Sequence, residues 1–145
     1  MKSTLEIASR FKEIILNGTW VANTNYKLQL ENLDWKIAVS PIQGLNTIAA
    51  LAQHIHYYIN GINQVFKGGT LDIKDKFSFD MPEITSEIDW LNLVDEFVSN
   101  AEKFINHVEK MDDNLLIQPF VKKEYGSYLR NIEAQIEHSY YHLGQ

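Results

Sequence analysis

The sequence predicts an all-α protein folded as a four-helix bundle. Apolar residues recur at threes and fours over four separate segments, the period of a helix with one buried face. Pro41, Pro82 and Pro119 all fall between those segments, where a missing N–H breaks no helix. No strand-like stretch has an evident partner, and four amphipathic helices that each hide one face make a bundle. At 145 residues the chain reads as one domain, 1–145, long enough to bury a core without disulfide or metal staples.

The first helix begins near Ser3, carries Leu5, Ala8, Phe11 and Ile15 on one face, and breaks at Asn17 and Gly18. Residues 20–37 are irregular, with Tyr26, Leu28, Leu30, Leu33 and Trp35 unevenly spaced; they either extend the first helix or form a short one of their own. The second bundle helix opens near Asn46 and Thr47 and reaches Phe66 through Ile48, Leu51, Ile55, Ile59 and Ile62, where Lys67-Gly68-Gly69 ends it. Residues 70–83 read as a connector anchored by Phe77 and Phe79. Long connections therefore separate helices one and two, and helices two and three. Ser86, with acids downstream, caps the third helix, whose stripe runs Leu91, Val94, Phe97, Val98, Ala101, Phe104, Ile105, Val108 and Met111. The run Met111-Asp112-Asp113-Asn114 stops it. The fourth helix runs from about Ser127 to the end with Leu129, Ile132, Ile136, Tyr140 and Leu143 inward.

Composition excludes several functions. A formal charge of −6, with Lys122-Lys123 as the one basic doublet, argues against nucleic acid and anionic membranes as partners. No cysteine means no disulfide, no thiolate metal site and no cysteine nucleophile. Neither a signal peptide nor a membrane-length apolar run is visible, so a cytoplasmic location is the expectation.

The chemistry concentrates in the closing segment His138-Ser139-Tyr140-Tyr141-His142. Histidines four apart on a helix project from one face, a spacing that lets two imidazoles share an ion. His54 flanks the apolar stripe of another helix and is the candidate third ligand. The alternative is that these are surface or hydrogen-bonded core histidines, since a four-residue spacing arises readily by chance. His56 lies about 200° around the helix from His54, so it is expected outside or behind the ligands, and His107 at the surface. Gln135, Tyr141 and Gln145 lie along the ligand stripe and Tyr58 one turn beyond His54, placed to orient ligands or bind substrate. The glutamate that zinc peptidases carry beside the first histidine is absent, as are the paired Glu-x-x-His segments of di-iron bundles.

The segment Asn46-Thr47-Ile48-Ala49-Ala50-Leu51-Ala52-Gln53-His54, followed by His138-x-x-x-His142-Leu143-Gly144-Gln145, resembles the DinB/YfiT-like superfamily. The match in order and helix placement covers essentially the whole chain. The resemblance implies a four-helix bundle with His54, His138 and His142 as ligands of a divalent ion, zinc or nickel. It also implies a transferase using a low-molecular-weight thiol, or a hydrolase, acting on a small molecule. One departure is that the fourth helix of relatives usually continues past the glycine–glutamine pair. Two other expectations stand beside it. One is a non-catalytic bundle with a structural or ligand-sensing metal; the other is a metal-free bundle pairing with itself, most simply as a homodimer, through Trp20, Trp35 or Trp90.

Overall fold

A computed structural model describes residues 3–145 as an all-helical protein of six α-helices, four of them long. The long helices are α1 (Thr4–Lys12, extended by a π-helical turn at Glu13–Asn17), α4 (Ile48–Phe66), α5 (Glu87–Glu109) and α6 (Tyr128–Gly144). Two short ones, α2 (Tyr26–Glu31) and α3 (Trp35–Ala38), occupy the first connection, so residues 20–37 do not prolong α1. Among the described residues there is no strand; a single antiparallel bridge joins Pro119 to Ser127. No helix among them is long and apolar enough to cross a membrane.

Each long helix starts where a short polar side chain accepts an otherwise orphaned N–H. Ser3 accepts from Glu6, Thr47 from Ala50, Ser86 from Asp89 and Ser127 from Arg130, each at 3.1 Å. Asn25 does the same for α2, accepting from Leu28 at 2.9 Å. The principal packing runs from α1 to α5, α5 to α4, α4 to α6 and α6 back to α1. Ile7, Phe11, Ile55, Ile59, Trp90, Phe97, Phe104, Ile132 and Ile136 fill the space between them. Phe11 stacks on Phe104 with ring centres 4.2 Å apart, fixing the depth of α1 against α5.

Two inward assignments are corrected. Leu5 is 64% exposed, because Asp113 Oδ1 accepts the Thr4 N–H at 2.8 Å and turns Thr4, Ile7, Ala8 and Phe11 inward instead. Leu91 faces out because Trp90 and Val94 take the buried positions one turn apart. The tryptophans divide. Trp20 is exposed, Trp35 packs part-buried on the core, and Trp90 is fully enclosed.

The connector after α4 lies along that helix. Ile73 sits against Gly61, where a Cβ would collide with it, so the glycine makes room for the strap. The Tyr57 hydroxyl donates to the Lys74 carbonyl at 3.0 Å and accepts the Lys74 N–H at 2.8 Å. Further on, Gln53 Nε2 donates to the Asp80 carbonyl at 3.0 Å. These ties hold Asp75 and residues 78–79 over the N-terminal half of α4. Phe79 stacks on His54 and Phe77 lies under Lys76, but both rings stay about equally exposed, at 40% and 43%.

Candidate metal centre

α4 and α6 pack together, which brings the second turn of α4 to the last turns of α6. There His54, His138 and His142 converge. His138 Nε2 lies 3.1 Å from His54 Nε2 and 2.9 Å from His142 Nε2, and the three nitrogens available to an ion all fall within 4.8 Å of one another. His54 meets both of the other rings at 82°, and His138 meets His142 at 69°, so the rings meet edge to face rather than stacking.

A neutral imidazole has one N–H and one lone pair, and each ring nitrogen offers one or the other. His142 Nδ1 donates to Gln145 Oε1 at 2.6 Å, which leaves a bare lone pair at His142 Nε2. His138 Nε2 must then serve two close nitrogen contacts with at most one hydrogen. One proton cannot fill both. A divalent cation accepts all three lone pairs at once, and its bonds of about 2.0–2.1 Å in tetrahedral geometry set ligand nitrogens about 3.3 Å apart. The two short separations need to open by only a few tenths of an ångström, and His54 and His142, which lie within 4.8 Å of each other, to draw together.

The surroundings favour neutral, ligating imidazoles. Burial, then the neighbouring imidazoles, push His138 down to about 4, while Asp75 opposes them. His54 is likewise lowered by burial first and by His142 second, against Ser78 and Asp75. His54 Nδ1 is buried and makes no hydrogen bond of good geometry, although the Ser78 backbone lies close enough to hydrogen-bond the ring and raise its pKa; it is the nitrogen that would carry the proton when Nε2 ligates. Phe79 stacks on His54 at 4.1 Å, nearly parallel, and shields that side from water.

Of the other anticipated residues, Tyr58 comes edge-on to both His54 (5.1 Å) and His138 (5.2 Å). Its hydroxyl donates to Asp75 Oδ1 at 2.7 Å, and burial followed by that bond pushes its pKa up to about 12. Gln145 sets the tautomer of His142, as described. Tyr141 lies mostly in solvent with its ring against the edge of His142 at 4.9 Å. Gln135 is buried one turn below and donates to Ser139 Oγ at 3.4 Å, with no hydrogen bond to the three histidines. Asp75 was not foreseen. It comes from the connector, and nothing in its spacing signals the site; only the path of the strap along α4 carries it there.

His56 corrects an expectation. It is 6% exposed, not outside, because α4 is covered on two sides, by α5 and by α6 with the strap. Two residues about 200° apart can then both be interior. Asn100 Nδ2 donates to His56 Nε2 at 2.8 Å, and His56 Nδ1 faces Gln53 Oε1 at 3.4 Å. His107 is half-buried with its ring near Phe66, rather than fully at the surface.

Compared with known proteins, this chain matches no protein-family model, no curated protein and no solved structure.

Proposed function

We propose that the four long helices form a DinB/YfiT-like bundle that holds a divalent ion, zinc or nickel, through Nε2 of His54, His138 and His142. One observation carries the reading: three imidazole nitrogens converge at 2.9 and 3.1 Å with too few protons to fill their contacts. An ion bound by three neutral imidazoles keeps its +2 charge and an open coordination position, and so supplies Lewis acidity towards a thiol or a water. The activity we assign is transfer of a low-molecular-weight thiol to a small molecule, with hydrolysis of a small molecule as its nearest neighbour.

The chain's own groups have definite parts in this reading. Gln145 holds His142 in the tautomer that presents Nε2. Phe79 keeps water from one face of His54. Asp75, positioned by Tyr58, is the carboxylate at the site able to receive a proton from an incoming thiol or water.

Metal analysis of untagged protein tests the first half. The expected result is close to one divalent ion per chain, lost in the alanine variants of His54, His138 and His142; full metal content in all three variants would falsify it. For the second half, cobalt-substituted protein mixed with a small thiol should develop sulfur-to-cobalt charge-transfer absorption. A spectrum unmoved by thiol removes the transferase and leaves hydrolysis. The separations of 2.9 and 3.1 Å are also hydrogen-bond lengths, which favours a second reading, a metal-free and non-catalytic bundle. Untagged protein that takes up no ion on reconstitution would establish it.

A further inference from the structure

Beside the three histidines, a cavity of about 320 Å³ opens between α2, the first turns of α4 and the last turn of α6. Its walls are Leu30, Ile48, Leu51, Ala52 and Leu143, with Tyr26 behind them. No Asp, Glu, Lys or Arg lines it, whereas the cavity beside α5 carries Glu83, Asp89 and Glu96.

The polar side chains at its edge each have one group engaged within the protein. Gln29 Nε2 donates to Thr24 Oγ1 at 2.9 Å, and the Tyr26 hydroxyl donates to the Ser139 carbonyl at 2.7 Å. Gln145 Oε1 accepts from His142 Nδ1. The groups left over, Gln29 Oε1 and Gln145 Nε2 among them, are neutral, so an ionised ligand would leave water without a carboxylate, lysine or arginine to pair with, an unfavourable exchange. What the walls still offer is apolar surface. His142 belongs both to this lining and to the histidine cluster, so a molecule filling the cavity has one end beside the cluster.

We infer that this cavity binds the neutral, apolar portion of a small molecule whose reactive end reaches the three histidines. The substrate class is thus an amphiphile with a short hydrocarbon or aryl part, rather than a phosphate or polyamine. Only the placing of the reactive end rests on the metal-centre reading; the apolar subsite stands on its own lining.

The test is a titration of the protein with the n-alcohols from propanol to hexanol, followed by NMR. Affinity should rise about fourfold per added methylene. Methyl nuclear Overhauser contacts should join the alkyl chain to Leu51 and Leu143. Leu51→Gln should weaken hexanol about tenfold, and Leu143→Gln, on a different helix, should do the same should the first variant not fold. On zinc-loaded protein, n-alkanethiols should show the same chain-length dependence, with the thiol end perturbing the His142 ring resonances. An affinity independent of chain length, or contacts confined to other surfaces, overturns the subsite. Retained alcohol dependence in protein that binds no zinc sinks the metal reading alone.

Discussion

His54 and His56 stand two residues apart on α4, and both are buried, at 7% and 6% exposure. Burial is the largest influence lowering the pKa of each. By those measures they are the same residue. Their hydrogen-bond complements separate them. His56 lies between α4 and α5 with a neutral amide at each ring nitrogen, Asn100 on one side and Gln53 on the other. His54 faces α6 with Nε2 against another imidazole. A buried histidine whose two nitrogens are both served is a packing element; one aimed at other lone pairs awaits a cation. Depth and pKa do not distinguish the two roles. The inventory of donors and acceptors does.

The largest difference is expected from removing the rings. His54→Ala, His138→Ala or His142→Ala should lower zinc affinity by more than about 100-fold, exceeding the range seen when only a ligand's supporting partner is lost. His56→Ala should leave zinc affinity unchanged, by isothermal competition against a chelator. Equal losses for His54 and His56 would abolish the distinction. His56→Ala should instead cost about 2 kcal/mol of stability, through a cavity and an unserved Asn100 amide, read as a lower urea midpoint at constant slope.

A smaller effect is expected at Gln145. Gln145→Ala removes the acceptor for His142 Nδ1 and should weaken zinc about tenfold while leaving the fold intact. Affinity unchanged by that substitution would show that His142 is oriented by the helix alone.

Acidification joins the two histidines again. His54, His56 and His138 all have folded pKa values below 6.5, so the unfolded chain binds more protons in acid. Their stabilising contribution is complete above about pH 6.5 and is lost as pH falls through the range down to His138's value of about 4. Urea midpoints of metal-free protein should therefore fall over that window, and less steeply in His138→Phe. The subtlest change is at Asp75, whose charge raises both His54 and His138; Asp75→Asn should move both imidazole titrations further down by NMR. Titrations that stay in place would put Asp75 outside the site.

The four long helices were legible because their determinants are local. Caps at Ser86 and Ser127, the stop at Gly68 and apolar periodicity act over a few residues, so reading the sequence in order recovers them. The pair His138 and His142 was legible for the same reason, since one helix turn sets their spacing. Which face of each helix meets which neighbour is a different matter, decided by the rotation of four cylinders against one another. That rotation turned Leu5 and Leu91 outward and buried both His54 and His56. It also joined α4 to α6 at the depth where three nitrogens converge. The strap that delivers Asp75 and Phe79 follows from Gly61, Tyr57 and Gln53 gripping residues 12 to 27 positions further along. Such contacts have no sequence period. They exist because a packed interior leaves each side chain one place to go.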